Sequence, residues 1–408
     1  MSLRILYVDF NSYFASVEQQ LRPRLRGRPL GVLPVMTEST CCIAASYEAK
    51  AFGIKTGTSV REAKKRCPEM VFVEARPALY VQKHHELVAA VESCTPVGKV
   101  LSIDEMACPL MGSEQQRGKA LALAAHIKHT IASKVGEHLR SSIGIAPNTM
   151  LAKIASNMQK PDGCTVIEQS DLPQILYRLD LRAIPGIGRA MEQRLARHRI
   201  TTMQQLCTLN ADQLQTAWGS IEGRRLYIKL QGEEPAGRES SRASIGHSHV
   251  MPPELRTQQG AHSVLHRLLQ KAAMRLRSYA LIAGAMHVYV KYENRTSWHD
   301  DVRFDPTSDT LQLMQAFELL WARQPHCKAA PMATGISLGA IEEQTQQSRS
   351  LFDEPGRVSH DRLNAVIDAV NLRYGRNSLY FGGAHQALSA APMRIAFGHI
   401  PDIEVEAD

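Results

Sequence analysis

Three carboxylates stand next to two short apolar runs in the first third of the chain. Asp9 closes the mostly apolar run 3–8, and Asp104 and Glu105 follow the run 100–103. Because short apolar runs are typical of buried strands, both runs are predicted to be β-strands. Carboxylates on rigid, adjacent strands are the hard oxygen ligands that a pair of Mg²⁺ ions requires. The pattern therefore indicates an enzyme that acts on phosphates.

Each half of this pattern also has an ordinary explanation. An Asp at the end of a strand is often only a cap or turn residue, and Asp-Glu is a common pair. Two aromatic residues, Tyr13 and Phe14, follow Asp9 before a segment of helical character. This first string resembles the opening motif of the Y-family, or lesion-bypass, DNA polymerases. The string Ser-Ile-Asp-Glu at 102–105 is similar to the second metal-binding motif of that family.

The resemblance implies a two-metal site for nucleotidyl transfer. By position, Asp9, Asp104 and Glu105 are expected to be the catalytic ligands of two Mg²⁺ ions, with Mn²⁺ as an alternative metal. The carbonyl of Phe10 is expected to be a further ligand. One ion lowers the pKa of the primer 3′-hydroxyl, and the other holds the triphosphate and the leaving pyrophosphate. Positioning and charge neutralisation are then expected to carry most of the catalysis.

The nucleotide contacts of the family also have counterparts in this chain. Tyr47 and Lys50 match a motif in which a Tyr and a basic residue hold the triphosphate, and Lys160 matches a third contact. Lys50 replaces an Arg, so a bidentate grip becomes a point-charge contact. Phe14 occupies the steric-gate position, where its ring is expected to exclude a 2′-hydroxyl. Without the carboxylates, a packed Tyr, a core Phe and solvated lysines would be the ordinary interpretation.

Composition sets broad limits on the class of protein. The chain has 408 residues, a hydrophobic fraction of 44% and a formal charge of +8, which fit a multidomain globular protein with a polyanionic partner. A modest positive charge is also common in proteins that bind no nucleic acid. Eight cysteines without a Cys-x-x-Cys pair are typical of a reducing compartment. No apolar run is long enough to span a membrane, so no membrane insertion is expected. We expect the protein to be cytoplasmic, and also to be a monomer.

Local patterns predict a layered α/β or α+β core, and the fold class predicted for the whole chain is α+β multidomain. One apolar stripe predicts a long helix, and the run 141–146 predicts a buried strand that Pro147 and Asn148 separate from a further helix. From 171 to 231 the pattern is mostly helical, with Leu172, Ile175, Leu176 and Leu179 at helical spacing. The apolar stripe consists of Leu123, Ile127, Ile131, Val135 and Leu139.

The family resemblance implies a right-hand polymerase with palm, fingers, helical thumb and little-finger domains. A segment rich in Gly, Pro, Glu, Arg and Ser supports an exposed linker before the last of these domains. The predicted ranges are palm 1–21 and 77–170, fingers 22–76, thumb 171–231, linker 232–243, little finger 244–345 and C-terminal tail 346–408.

The sequence Ile-Pro-Gly-Ile-Gly at 184–188 is predicted to be the turn of a helix-hairpin-helix. Gly186 and Gly188 let the backbone approach a phosphate closely, and the N–H groups at the next helix start favour an anion. Arg189 and other arginines add positive charge, so this turn is expected to bind DNA. A plain helix-terminating Pro-Gly turn is the alternative.

Two further segments carry predictions about partners. Between 261 and 295 basic residues outnumber acids. A helix from Thr257 to Tyr279 and strands near 287–292 and 334–338 are expected in this part of the chain. The positive charge fits a little-finger domain that grips DNA. The string 346–352 is similar to the peptides by which bacterial polymerases bind the sliding clamp, with Gln347, Leu351 and Phe352 as its contacts. The basic residues of the first segment are Arg267, Lys271, Arg275, Arg277, Lys291 and Arg295, against Glu293.

The end of the chain carries its own expectations. A helix over 362–371 and a strand or extended arm over 378–382 are predicted, and the tail is more similar to that of the catalytic subunit of bacterial polymerase V than to that of polymerase IV. Its acidic end is expected to stay solvated.

The sequence favours one function and leaves two others open. The favoured function is a low-fidelity, template-directed DNA polymerase for translesion synthesis, with primer-template DNA and dNTP as its partners. The first alternative is a catalytically silent relative that acts as a clamp-binding adaptor, against which three clustered carboxylates argue because they repel one another without a metal. The second is a helix-hairpin-helix nuclease or structural DNA binder.

Overall fold

The computed structural model describes residues 2–38, 40–237, 243–325, 327–344, 357–375, 377–395 and 400–401. The chain divides into two compact units, the first comprising Met1–Gly237 with Ile395–Ile400 and the second the remainder. The division after Gly237 falls inside the range 232–243 that was predicted to be a linker.

A five-stranded sheet is the centre of the first unit. Its strands stand in the order β5-β6-β1-β7-β8, with β1 antiparallel to both neighbours and β7 parallel to β8. The continuous apolar sequence of β1 fits a strand buried on both faces, and every residue of β7 is buried. The strands are β1 (Ile5–Phe10), β5 (Lys99–Ser102), β6 (Glu105–Pro109), β7 (Ser141–Ala146) and β8 (Cys164–Val166).

Four helices accompany this sheet: α1 (Tyr13–Leu21), α4 (Pro77–Glu92), α5 (Arg117–Lys134) and α6 (Thr149–Met158). Helix α6 lies so close to β7 that a Cβ on Gly144 would stand 1.9 Å from the carbonyl oxygen of Ala152. The predicted stripe on α5 is confirmed at Ile127 and Ile131, which are buried. It is wrong at Leu139, because the helix ends at Lys134 and Gly136 takes a positive φ of 156°.

A small lobe with its own sheet lies between α1 and α4 in the chain. It contains β2 (Leu30–Leu33), β3 (Ala44–Ala45) and β4 (Val71–Glu74) in the order β3-β2-β4, with α2 (Tyr47–Ala51) and α3 (Val60–Arg66). Leu33, Ile54 and Val60 belong to a hydrophobic cluster of this lobe. A separate core of this kind is what an inserted subdomain needs in order to fold as a unit.

The end of the first unit is helical. Three short 3₁₀ helices, Gln169–Asp171, Gln174–Arg178 and Leu181–Ala183, precede four α-helices. The helical spacing from Leu172 to Leu179 forms a 3₁₀ helix over Gln174–Arg178 and not an α-helix. The α-helices are α7 (Arg189–Arg197), α8 (Met203–Thr208), α9 (Ala211–Trp218) and α10 (Ile221–Leu230).

The second unit contains a four-stranded antiparallel sheet formed by β9 (Ser244–Val250), β10 (Leu281–Tyr292), β11 (Ser297–Thr307) and β12 (Pro331–Glu343). The order of the strands in the sheet is β11-β10-β12-β9. Helices α11 (Gln258–Ser278) and α12 (Thr310–Trp321) pack their apolar residues into the same core. The prediction of α11 is confirmed, whereas β11 and α12 were not predicted.

The C-terminal segment is part of the second unit's core. It forms α13 (Arg357–Tyr374), which contains the predicted helix 362–371, and a 3₁₀ helix (Gly382–Ala387). Residues 378–381 form no strand, so of the strand or extended arm predicted there the strand is wrong. Ala387, Ala390 and Ala391 are buried in the main cluster of the unit. The Arg267 and Lys271 side chains donate hydrogen bonds of 2.7 Å to the carbonyls of Ala390 and Ala391.

These bonds change the interpretation of the predicted basic surface. Arg267 is buried, and Arg277 makes two hydrogen bonds of 2.7 and 2.8 Å to the Asp368 carboxylate on α13. Arg267, Lys271 and Arg277 therefore attach the C-terminal segment to α11, and the prediction that they form a DNA-gripping surface is wrong for this part of the helix.

Among the described helices, none has both the length and the apolar character that crossing a membrane takes.

Asn148 is expected to be the most important helix cap of the first unit. Its side chain accepts a bond from Leu151 N at 2.8 Å and donates to the carbonyls of Lys229 and Glu233. Asn148→Ala leaves these buried groups unpaired and should lower the free energy of unfolding by about 2 to 3 kcal/mol in urea unfolding.

The matched control for this change is Asn210→Ala. Asn210 caps α9 with one bond to Gln213 N and is exposed, so its loss should cost about 1 kcal/mol. Equal losses in the two variants would show that the bonds of Asn148 to Lys229 and Glu233 contribute nothing.

Candidate active site

The strand pairing brings the three predicted carboxylates to one edge of the central sheet. Asp9 is the penultimate residue of β1 and stands directly opposite Glu105, the first residue of β6. Asp104 lies in the tight turn between β5 and β6, and its carbonyl accepts a 2.8 Å hydrogen bond from Phe10 N. Glu105 therefore begins a strand and does not end one, because the chain reverses at Ile103 and Asp104.

Two lysines place positive charge on these carboxylates. The Lys160 ammonium lies 2.7 Å from Asp9 Oδ2, and the Lys153 ammonium lies 2.8 Å from the Glu105 carboxylate. The Ser102 hydroxyl donates a 2.7 Å bond to Asp104 Oδ1. Ser102 was part of the predicted motif at 102–105 but had no predicted role, and Lys153 was not predicted to belong to the site. A lysine on α6, the helix that packs on the strand of Asp9, was the available signal for Lys153.

Burial makes this group of carboxylates electrostatically costly. It raises the pKa of Asp9 to about 6, against the opposing effect of Lys160, and Asp104 and Glu105 raise it further. Burial also raises the pKa of Asp104, to which the charge of Glu105 contributes. A buried carboxylate beside two half-buried ones favours additional cations, because the like charges repel one another, and carboxylate oxygens are the donors that Mg²⁺ prefers. The residues present therefore fit divalent metal ions.

The spacing of the carboxylates limits how such ions could be held. Two oxygens that touch one Mg²⁺ at about 2.1 Å can be at most about 4.2 Å apart. Ligand atoms from all three residues do not lie within 4.8 Å of one another. One ion position therefore does not contact Asp9, Asp104 and Glu105 together in this arrangement, and pairs of carboxylates have to share the ions or the side chains have to rotate.

The predicted nucleotide contacts lie beside the carboxylates. The Lys50 ammonium is 4.3 Å from the centre of the Tyr47 ring at the start of α2. Burial lowers the pKa of Lys50, and the charge of Lys160 lowers it further. Burial, together with the charge of Asp9, raises the pKa of Tyr47 to about 12. The charges of Lys160 and Asp9 thus act on the two predicted nucleotide contacts Lys50 and Tyr47.

Asn11 holds the turn that carries Lys160. Its Oδ1 accepts a 2.7 Å bond from Asp162 N, and its Nδ2 donates a 3.1 Å bond to Ser142 Oγ on β7. Asn11 is buried, so these bonds are shielded from water. The end of β1 therefore positions both Asp9 and the lysine that pairs with it.

The steric-gate position is supported by a buried network that the sequence did not reveal. Phe14 lies in the first turn of α1 and stacks on Tyr80, with ring centres 4.6 Å apart and planes 16° apart. The Tyr80 hydroxyl donates a 2.9 Å bond to Glu18, which is fully buried and makes two hydrogen bonds with Arg76. Phe14 is thus backed by a rigid ring.

The predicted hairpin lies at an exposed turn before α7. Gly186 has a positive φ of 97°, and Gly188 is the residue before the helix. Gly186, Gly188 and Arg189 are all exposed. Arg194, one of the other arginines of this region, donates a 2.9 Å bond from Nε to the carbonyl of Ala217. The predicted clamp contacts Gln347, Leu351 and Phe352 lie outside the described residues.

Comparisons with known proteins bear on this arrangement. The model of the impB/mucB/samB family matches residues 8–157, that of the C-terminal domain of the same family matches 242–351, and that of the DNA polymerase-iota thumb domain matches 182–234. DNA polymerase IV of Moorella thermoacetica is 33% identical over 97% of this chain and 98% of its own length. DNA polymerase IV of Pelotomaculum thermopropionicum is 31% identical over 93% and 94%.

A search of solved structures also finds a DNA polymerase. A Y-family DNA polymerase chimera of Dbh and Dpo4 superimposes with a TM-score of 0.70 and 25% identity, over 83% of this chain and 99% of its own. The chain belongs to the Y-family of DNA polymerases. Its predicted right-hand polymerase fold and its function as a DNA-directed DNA polymerase of the translesion type are confirmed.

Membership of the Y-family also limits what the site can be. Y-family polymerases are metal-dependent nucleotidyltransferases, and carboxylate side chains of this chain lie where metal ligands were predicted. These matches favour the polymerase and not the silent adaptor.

The pKa of Asp9 yields a prediction about stability. Its folded value of about 6 lies above the value of about 4 for an unfolded Asp, so the ionised carboxylate destabilises the folded state above pH 6. In EDTA at pH 7.5, Asp9→Asn should be more stable than the wild type by roughly 1 to 3 kcal/mol. This advantage should shrink as the pH falls from 6 to 4, as measured by urea unfolding.

The control for this series is Asp180→Asn, which changes an exposed carboxylate of the same unit. It should leave the pH dependence of unfolding unchanged. A variant at Asp9 that is less stable than the wild type at pH 7.5, or a difference that does not change between pH 4 and 7.5, would contradict the assigned cost of burying this charge.

Proposed function

We propose that this polymerase joins dNTPs to a primer 3′-hydroxyl at a site in which Asp9, Asp104 and Glu105 hold two Mg²⁺ ions. The supporting observation is the direct opposition of Asp9 and Glu105 across β1 and β6, with an ammonium group on each. The Phe10 carbonyl is proposed as a further ligand. When bound, divalent ions neutralise phosphate charge and lower the pKa of the attacking hydroxyl, and Mn²⁺ can supply the same chemistry.

In this proposal Lys160 exchanges partners when a nucleotide enters. In the free protein its ammonium is paired with Asp9. An ammonium that moves from a carboxylate to a phosphate oxygen keeps a charge-assisted hydrogen bond, so the exchange costs little. The turn fixed by Asn11 keeps Lys160 within reach of both positions. Asp9 is thereby left free to bind metal only when the triphosphate is present.

Tyr47 and Lys50 are proposed to hold the rest of the triphosphate. Lys50 lies against the Tyr47 ring and its pKa is lowered by burial and by Lys160. A polyanion between the two lysines would relieve their repulsion, because an opposite charge favours the charged form of each group. Lys50 acts as a point charge there and not as a bidentate donor.

Primer-template DNA is the proposed macromolecular substrate. Support comes from the exposed glycine turn with Arg189, since backbone N–H groups at a helix start favour a phosphate. Docking on a sliding clamp through Gln347, Leu351 and Phe352 is a separate proposal that rests on the sequence pattern alone. A cytoplasmic location is proposed because all eight cysteines are free, as in a reducing compartment.

Primer extension with dNTPs and Mg²⁺ tests the metal site. Asp104→Ala removes one carboxylate and should lower the extension rate by at least about 10³-fold, since electrostatic stabilisation of the transferred phosphate is lost. The control is Asp180→Asn, which should extend primers like the wild type.

The outcomes of this assay separate the possible functions. Extension that survives in Asp104→Ala would mean that the metal site is elsewhere. No extension by the wild type, with intact DNA binding, would favour the adaptor, and degradation of the primer would favour a nuclease.

The steric gate gives a prediction about sugar selectivity. Phe14→Ala removes the ring that is backed by Tyr80 and should raise incorporation of ribonucleotides relative to deoxyribonucleotides by at least about tenfold, since a clash worth a few kcal/mol is removed. The measurement is single-nucleotide insertion of rNTP and dNTP. Phe304→Ala, a half-buried Phe of the second unit, is the control. Unchanged selectivity in Phe14→Ala would remove Phe14 from this role.

A further inference from the structure

Two histidines and a glutamate come together in the second unit, in a place that the polymerase reaction does not use. His262 and His266 are four residues apart on α11, so they lie on one face of the helix. Glu318 lies on the neighbouring helix α12. Ligand atoms of all three lie within 4.8 Å of one another, and among the described residues this is the one group of three or more such side chains that does so.

Both imidazoles direct the same nitrogen at the carboxylate. Nε2 of His262 is 3.1 Å from Glu318 Oε1, and Nε2 of His266 is 2.7 Å from that oxygen. His266 is buried, and its Nδ1 faces Gly383 without a hydrogen bond to a described residue. Nε2 is therefore the nitrogen that His266 offers to a ligand.

The distances are close to those of a zinc site. Two ligand atoms of a tetrahedral Zn²⁺ are about 3.3 Å apart, since each lies about 2.0 to 2.1 Å from the metal. The two nitrogen–oxygen distances of 2.7 and 3.1 Å need only a small outward movement of the Glu318 side chain, which is half exposed. His266 cannot move as freely, because its ring packs edge-on against Phe317 with centres 5.0 Å apart.

One side of the cluster is apolar and the other is open. The His262 ring lies 5.2 Å from that of Trp321, and both residues line a cleft with Gln258, Gln259 and Gln324. The amide nitrogen and oxygen of Gln258 are shielded from solvent, and neither is hydrogen-bonded to a described residue. A metal with three protein ligands keeps a fourth position for water, and the cleft provides polar groups for it.

We propose that His262, His266 and Glu318 bind one Zn²⁺ ion, or a similar imidazole-preferring divalent transition metal, independently of the catalytic carboxylates. Two imidazole nitrogens and one carboxylate oxygen suit Zn²⁺, whereas Mg²⁺ and Ca²⁺ take oxygen ligands. The alternative is a metal-free hydrogen-bonded cluster in which both imidazoles donate to Glu318. The ion would connect α11 to α12 and stabilise the folded second unit, because a ligand that binds only the folded state raises its stability.

Cobalt provides the test, because Co²⁺ occupies zinc sites and absorbs visible light when its coordination is tetrahedral. The full-length protein is titrated with CoCl₂ and then with ZnCl₂, and thermal unfolding is measured with and without ZnCl₂. The wild type should bind Co²⁺ with a visible band that one equivalent of Zn²⁺ removes. Its unfolding temperature should rise with Zn²⁺ and not with the same concentration of Mg²⁺.

Matched variants assign the band to the three residues. Glu318→Gln and His262→Gln should each weaken Co²⁺ binding by more than about tenfold, since even an outer partner of a ligand is worth that much. His287→Gln changes a half-exposed histidine that pairs with Asp301 on the sheet and should keep the band. Asp104→Ala should keep it too, which separates this site from the catalytic metals.

Two results would overturn the proposal. One is a wild type without the band at saturating Co²⁺. The other is a band of equal affinity in Glu318→Gln and His262→Gln, which would place the metal on cysteines or other residues. Glu318 is half exposed, so Glu318→Gln is expected to fold. Its circular dichroism and its unfolding temperature without metal verify this and separate a loss of metal binding from a loss of the fold.

Discussion

The structure depends on the burial of negative charge at the end of its central strand. β1 places Asp9 opposite Glu105 in a region from which water is largely excluded, and this raises the pKa of Asp9 to about 6. Asp9 is buried and Glu105 half-buried, and like charges so placed need cations to compensate them. Lys160 and Lys153 supply that compensation in the free protein. The surrounding elements can be understood as the parts that hold these charges in place.

The supports act through backbone-anchored bonds and packed rings. Asn11 ties the end of β1 to the turn after Lys160, so that the acid and its lysine share one rigid frame. Glu18 holds Tyr80 with a fully buried carboxylate, and Tyr80 in turn backs the Phe14 ring. Rigid positioning of this kind is what phosphoryl transfer requires, because the protein contributes mainly geometry and electrostatics to that reaction.

Features encoded by short stretches of sequence were predicted well. The apolar run before Asp9 and the run 141–146 are strands, and the segment from Thr257 to Tyr279 that was expected to be a helix contains α11. The parts contributed by distant segments were not predicted. Lys153 reaches Glu105 from another element, and Glu18 meets Tyr80 across sixty-two positions of the chain. Such pairings are set by tertiary packing, which leaves no local periodicity in the sequence.

Some errors had local signals that were outweighed. Pro173 interrupts the leucine spacing that indicated a helix, and Gly136 ends the region of α5 before Leu139. In β11, Trp298, Val302 and Phe304 are half-buried at alternating positions, but the charged residues between them concealed the strand. The basic residues of α11 were assigned to DNA because the C-terminal acceptors of their bonds are more than ninety residues away.

The central claim is that Asp9, Asp104 and Glu105 hold a pair of catalytic metal ions. The most direct measurement is a crystal structure with Mn²⁺, a primer lacking its 3′-hydroxyl, template and dNTP, in which anomalous scattering locates the metal. The account predicts two peaks about 3.5 to 4 Å apart, each in contact with oxygens of Asp9, Asp104 or Glu105. A single peak, or peaks that none of the three carboxylates touches, would contradict it.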